Sequence, residues 1–329
     1  MMLNESNRRY FAYARHALVS ALQMLRVRDS ATVLIPEFIC RDVLASLHAV
    51  GAEPHFYAID DQLQPRAGQT LPPAAALMVV NYFGFPADIT RARSLMESPH
   101  APIIEDNAHG WLSADQHGTP LGSRTQVGIT SIRKTIRLPD GAYLQWNAGD
   151  TLDIGTLEPQ LPPRTTSLSL SFRLRHSVAQ LDAHSPIALM PIARNAVRLI
   201  RRTSGRSAIE QHPTDEWQLP AARSAHHESM RIIKQVDHVA EVVRRRELFL
   251  RCSTFADKFA IERPFVDLPL HVSPQGFPFF GDTAHVGAFC RMVRRSRCGE
   301  VIRWPALPSR SSLPTSSRLR TLHLVNFLV

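Results

Sequence analysis

Residues 101–146 read APIIEDNAHGWLSADQHGTPLGSRTQVGITSIRKTIRLPDGAYLQW. Pro102 to Ile104 is a short apolar run that breaks off at Glu105-Asp106, which predicts a buried strand with carboxylates at its carboxyl end. Open α/β sheets place ligand-binding groups at that end. A second apolar run, Val127 to Ile132, delivers Lys134 between Arg133 and Arg137, 28 residues after Asp106. Taken singly, an Asp after an apolar run reads as a turn or cap residue. A lysine among arginines reads as a solvated basic face. Their order and surroundings favour another reading. A strand-end Asp followed by a strand-end Lys suits pyridoxal phosphate, with the lysine as Schiff-base partner. The aspartate would keep the pyridine nitrogen protonated, so that the ring acts as an electron sink.

Upstream of this stretch the pattern is a repeated strand and helix. Thr32 to Ile35 is a predicted strand ended by Pro36, Arg41 to Val50 a helix closed by Gly51, and Pro54 to Ile59 the next strand. Ala75–Val80 and Pro102–Glu105 continue the cadence, which indicates a largely parallel sheet. Residues 10–25 carry Phe11, Ala14, Ala17, Leu18, Ala21, Leu22 and Leu25 at helical spacing. Asp88 is a predicted cap for a helix through Ala92 and Leu95. Asn81 follows a buried run and precedes a Gly84/Pro86 turn, so it reads equally as a turn former or a site residue. Asp106 and His109 are three apart and could share a helical turn, which suits either a divalent metal or a cofactor contact. A metal needs three or four ligands and no others stand out, so no metal site is expected.

Composition narrows the class. With 329 residues, 44% hydrophobic and 20% charged, the chain reads as a folded protein of two domains, or of one with an appendage. The net charge of +9 is compatible with anionic partners, and the cations are mostly arginines, clustered from Arg164 to Arg206 and from Arg244 to Arg297. Arginine's planar fork suits a diphosphate, but an ordinary basic surface accounts for the charge equally well. Nucleic acid is not expected as a partner, because no aromatic-basic motif accompanies the charge. The four cysteines form no CxxC pair and read as reduced thiols, the expectation for a cytoplasmic protein. Apolar runs such as Ala74 to Val80 are far too short to span a bilayer, so no membrane partner is expected either.

The segments VNYFGFPADI, PIIEDNAHG, PLGS and GITSIRKTIRLPDGAYL, in that order, resemble the DegT/DnrJ/StrS-type aminotransferases. YARHALVSALQML and VLIPEFICRDVLASLHAVGAEPHFYAID upstream, and VIRWPALP near the C-terminus, extend the likeness. It is strong over residues 10–146, patchy to about 250 and weak beyond. The resemblance implies a fold-type I pyridoxal-phosphate transferase, α/β with a mainly parallel central sheet and flanking helices, plus a smaller C-terminal α/β domain. Residues 1–235 would form the large cofactor domain and 236–329 the small one. By the same likeness Lys134 carries the Schiff base and shuttles the proton, and desolvation with Arg133 nearby favours its free amine. Asp106 holds the pyridinium, His109 contacts the ring, and Asn81 lies near the cofactor. Ser131 and the turn Tyr13, Ala14, Arg15 at a helix start bind the phosphate.

The implied reaction transfers an amino group from glutamate to a nucleotide-linked keto-sugar by ping-pong chemistry, at the interface of a homodimer. A role in polysaccharide biosynthesis would follow. Several departures favour an alternative, a non-catalytic relative kept for binding or regulation. The Ser-Gly usual before the first helix is replaced. Cys40 stands where an aromatic ring often stacks on the cofactor, and Phe38, Tyr82 or Phe83 would have to replace it. The usual Gly-Tyr-Asn-Arg signature is missing before a helix predicted over Ser229 to Leu250. Dehydratases of the family carry histidine in place of the lysine, so Lys134 argues against that activity. Pro191 to Arg202 reads as a basic amphipathic helix, His226-His227 as an exposed pair, and the C-terminus as shorter than in relatives.

Overall fold

A computed structural model describes residues 7–147, 152–153, 164, 167–168, 172–174, 177–178, 216–221, 223–282, 284–303, 308 and 318–328. The helix expected at Pro191 to Arg202 lies outside these residues. The large sheet has seven strands in the order β1-β7-β6-β5-β4-β2-β3. They are β1 (Arg8–Phe11), β2 (Thr32–Pro36), β3 (Glu53–Tyr57), β4 (Ala76–Val80), β5 (Ile103–Asn107), β6 (Val127–Thr130) and β7 (Ala142–Trp146). The five strands from β6 across to β3 run parallel, and β7 and β1 close that edge antiparallel. Strands β4 and β5 are buried along their whole length, β4 as an unbroken apolar run and β5 with its polar end Glu105-Asp106-Asn107 also buried, as in a sheet covered on both faces.

Helices α1 (Ala14–Met24), α2 (Asp42–His48) and α3 (Ile89–Arg93) connect these strands. The first helix starts later than its periodicity suggests. Tyr10 and Phe11 belong to β1, which pairs with Tyr143 and Ala142 of β7. Asp88 caps α3 by accepting from the Arg91 N–H, as expected. Gly128 of β6 admits a close neighbour, because a Cβ there would lie 1.9 Å from the Gly122 carbonyl oxygen.

The C-terminal part adds α4 (His227–Gln235) and α5 (His238–Lys258), then an antiparallel sheet β8-β10-β9 and α6 (Val286–Arg295). Its strands are β8 (Gly276–Phe280), β9 (Glu300–Arg303) and β10 (Leu322–Asn326). The single long helix expected over 229–250 is two. The chain turns extended at Val236, and Asp237 caps α5 by accepting from the Ala240 N–H. The buried face of α5 is also rotated from the valine pattern. Val239 and Val243 are exposed, while Arg245, Phe249, Cys252 and Ala256 face inward. His226 is not an exposed ring but a buried cap of α4, accepting from the Glu228 N–H.

One apolar core runs through both sheets. Phe249 joins them, its ring 5.6 Å from Phe85 and 5.0 Å from Phe277. Beside it Arg245, wholly buried, donates to the carbonyls of Pro274 (3.1 Å), Gln275 (2.9 Å) and Thr135. Glu241, one turn back on α5, takes its Nε at 2.6 Å. Burial pulls the Arg245 guanidinium down to about 10, against the pull of Glu241 in the opposite direction. Arg245→Ala would leave three carbonyls and a partly buried carboxylate without this donor. It is expected to cost about 3 kcal/mol or more in urea unfolding.

Candidate active site

The site forms where β2, β4, β5 and β6 end, around the point at which the chain, having placed β3 outside β2, crosses to β4 on the other side. Successive residues of a strand face opposite ways, so Glu105 and Asp106 at the end of β5 serve different purposes. Glu105 is saturated. Its Oε1 accepts from Arg124 Nε (2.7 Å) and Asn81 Nδ2 (2.8 Å), and its Oε2 accepts from the Arg124 N–H (3.0 Å). Asp106 Oδ1 accepts only the Ala108 N–H at 2.8 Å, and Oδ2 meets no donor among the described residues. Burial raises the Asp106 carboxyl above its ordinary range, with Lys134 and the Ala108 N–H acting the other way.

Lys134 arrives on a 3-10 turn, Ile132–Lys134, directly after β6. Its N–H donates to the carbonyl of Ser131, a buried residue at the head of that turn. Its Nζ lies 3.2 Å from His109 Nε2. His109 is not on a helical turn with Asp106, because β5 runs on to Asn107 and His109 sits in the following turn. The imidazole stacks on Phe83, with centroids 5.6 Å apart and planes at 10°. The Phe83 N–H donates to Nδ1 at 3.3 Å. Burial, then Lys134, pushes the imidazole well below its ordinary range, so it is held neutral.

Phe83 is in the left-handed region at φ 56°, an outlier for a bulky residue. Its carbonyl accepts the Gln275 N–H at 2.8 Å, which fixes it from the C-terminal part. Cys40, from the loop after β2, lies close enough to Lys134 and Asp106 to feel both; burial raises its thiol and Lys134 lowers it. Phe38, Tyr82 and Phe83 are all buried in the core, and of the three Phe83 stacks directly on a site residue.

The turn into α1 is joined to this group through the residue before the lysine. Tyr13 is the extended N-cap of α1, and both Arg133 and Arg15 lie over its ring, at 5.4 and 5.6 Å from the centroid. Arg15 is also paired with Asp42 at 2.7 Å. Ala14 occupies the first position of α1, whose initial amides have no intrahelical acceptor. Asn81 is placed differently. Its amide is spent on Glu105, Asn107, Arg124 and the Ala87 N–H.

Lys134, Asp106 and His109 are thus brought together, with Cys40 beside them and Ala14, Arg15 and Ser131 at the approaches. The tie between Arg133 and Tyr13, and the hold of the C-terminal part on Phe83, had no sequence signal of their own. Among the described residues no three His, Cys, Asp or Glu side chains converge as a metal site.

The model of the DegT/DnrJ/EryC1/StrS aminotransferase family matches residues 11–141. A UDP-N-acetyl-3-dehydro-alpha-D-glucosamine 3-aminotransferase of Acidithiobacillus ferrooxidans is 28% identical over 120 residues, 35% of this chain and 32% of that relative. The aligned part thus spans only about a third of the relative's length. Among solved structures, the aminotransferase TlmJ from Streptoalloteichus hindustanus is 19% identical with a TM-score of 0.62, over 98% of this chain and 81% of that one. The GDP-4-keto-6-deoxy-D-mannose-3-dehydratase of E coli, solved with bound hydrated PLP, is 12% identical with a TM-score of 0.59, over 97% and 83%. At such identities the likeness is one of fold. Over residues 11–141 the sequence is similar to the DegT/DnrJ/EryC1/StrS aminotransferase family, and the chain shares the fold of these aminotransferases.

Proposed function

We propose that this chain is a pyridoxal-phosphate-dependent aminotransferase that takes an amino group from glutamate and passes it to a nucleotide-linked keto-sugar by ping-pong chemistry. The observation that carries the reading is the donor-free oxygen of Asp106 set beside Lys134 at the ends of two adjacent parallel strands. The residues present fit the cofactor. Asp106 offers an acceptor to a pyridine N–H, His109 offers a flat neutral ring, Lys134 offers the amine, and the start of α1 with Ser131 offers donors to a phosphate. Bound there, pyridoxal phosphate supplies an electron sink for carbanion charge at the α-carbon of the amino donor.

The protein's own groups do the rest. Asp106 holds the proton on the pyridine nitrogen, and the cation there favours the ionised carboxylate that burial alone disfavours. Lys134 Nζ would take the proton from the donor's α-carbon and, in the second half-reaction, deliver one to the acceptor's carbonyl carbon, the general acid–base part of the reaction. His109, fixed by the Phe83 N–H and the Phe83 ring, orients that amine through Nε2. The keto-sugar acceptor is supported by the curated relative, whose name specifies a UDP-linked 3-dehydro sugar. A homodimer in the cytoplasm, with lobes meeting near residue 235, belongs to the same proposal.

Adding pyridoxal phosphate is expected to give a visible absorption band that survives gel filtration and bleaches with glutamate. Lys134→Ala is expected to lack the band and to lose on the order of 10²–10⁴-fold in transamination rate. A wild type with no band would overturn the enzyme reading in favour of a non-catalytic relative. A second expectation concerns pH. Because the Asp106 carboxyl lies above the ordinary 3.8, it takes up a proton earlier as pH falls. Cofactor affinity, read by absorption titration, should therefore decline with a midpoint above 3.8. Asp106→Asn should bind more weakly and without that component of the pH dependence.

A further inference from the structure

Two of the four cysteines meet in the C-terminal part. Cys252 lies on the inward face of α5 with Arg245, Phe249 and Ala256, and Cys298 follows the end of α6; neither side chain reaches solvent. The Cys252 thiol donates a hydrogen bond to the Cys298 sulfur, so two unbonded sulfurs from separate elements touch. The backbone holds them there. The chain leaves α6 through a left-handed residue, Arg297 at φ 53°, and the Cys298 N–H donates to the Val293 carbonyl at 3.1 Å. On the other side, Gly299 lies so close to β10 that a Cβ would come within 2.3 Å of the Asn326 carbonyl oxygen. Helix end and strand together fix Cys298 against α5.

The two thiols are chemically unequal. Donation from Cys252 lowers the Cys298 thiol below its ordinary range although burial opposes it, and Arg251 adds its charge and a hydrogen bond in the same direction. Cys252, as the donor, is raised, and burial raises it further. The thiolate is the nucleophile, so Cys298 is the attacking group and Cys252 the resolving one. Arg251 is itself exposed, which puts Cys298 one side chain beneath the surface. Such a depth suits a small oxidant better than a bulky disulfide. Among the described residues no third His, Cys, Asp or Glu joins the pair, so its chemistry is that of sulfur with sulfur and not of a metal site.

We propose that Cys252 and Cys298 are a redox modification site, a dithiol that hydrogen peroxide closes to a disulfide. The Cys298 thiolate attacks one peroxide oxygen. The S–O bond forms, the O–O bond breaks, and the departing hydroxide takes up the proton that the thiol had released. The Cys252 sulfur then attacks the sulfenic acid on Cys298; the S–S bond forms, and hydroxide leaves with the Cys252 proton as water. The two thiols lose two electrons, and one peroxide becomes two waters. A thiol reductant restores the pair. Because Arg245 on the same face of α5 grips the backbone next to Lys134, the bond staples the helix on which that grip depends.

The experiment uses the full chain carrying Cys40→Ser and Cys290→Ser, in which this pair alone remains, reduced and then exposed to hydrogen peroxide in the folded state. Both titratable thiols should disappear with a mass decrease of two hydrogens, reversed by dithiothreitol, and one peptide should link Cys252 to Cys298. The oxidised form should melt about 5 °C or more above the reduced form, since the bond closes a long loop of the unfolded chain. Adding Cys252→Ser should strand a sulfenic acid on Cys298 that dimedone traps, whereas adding Cys298→Ser should leave Cys252 unreacted at the same dose. The reverse pattern would overturn Cys298 as the attacking thiol. Thiols that persist, that gain oxygen without linking, or that link only between chains would overturn the site itself. Should the double variant fail to fold, peptide mapping of the peroxide-treated wild type decides: a link between Cys252 and Cys298 supports the site, and any other pairing or none sinks it.

Discussion

The ion pair between Glu105 and Arg124, with Asn81 completing it, is the interaction on which the arrangement of the site depends. A central strand that ends in two consecutive carboxylates brings both into a buried region, where two unpaired negative charges would be costly. Pleating sends them to opposite sides, and Arg124 with Asn81 satisfies Glu105 on one of them. Asp106 can then remain underused on the other. A buried carboxylate with a free oxygen is tolerated because its neighbour is fully compensated and because Lys134 lies nearby. Structural stability and chemical availability are divided between adjacent residues of one strand.

The same division appears around Lys134. The residue before it, Arg133, reaches back to the start of α1, and the residue after it, Thr135, gives its carbonyl to Arg245. His109 stands opposite the amine, held by a phenylalanine in a strained conformation that Gln275 secures. The lysine is thus positioned by backbone and side-chain contacts from three separate parts of the chain. Such a turn keeps its side chain in one place while the side chain itself stays free to move a proton.

Most of the parallel strands were legible because burial on both faces makes them read as short apolar runs; Ala76–Val80 is the plainest example. The positions of Asp106 and Lys134 at the ends of adjacent strands were legible because each follows a short apolar run. Short or competing signals were not. β1 is four residues, RRYF, and its Phe11 happens to fall in phase with the helix behind it. The valines of 236–243 imitate one continuous helix, although an aspartate cap starts a second one and the inward face belongs to Arg245 and Phe249. His226 gave no sign of burial, since its ring is held by a backbone amide two residues on. The partners of the Asn81 amide, Glu105 and Arg124, lie distant in sequence and left no local signal.

The reach of Arg245 from α5 to Thr135 has a consequence for how this architecture can be rearranged. The arginine comes from the C-terminal half, yet its guanidinium closes on the backbone beside the lysine in the N-terminal half. A chimaera that keeps residues 7–147 and borrows the remainder from a relative must also import an arginine at the same helical position, in register with the lysine turn. Without it, three carbonyls would face an apolar interior. Recombination between relatives is therefore constrained by a bond spanning the crossover point, and the two halves have to be inherited together.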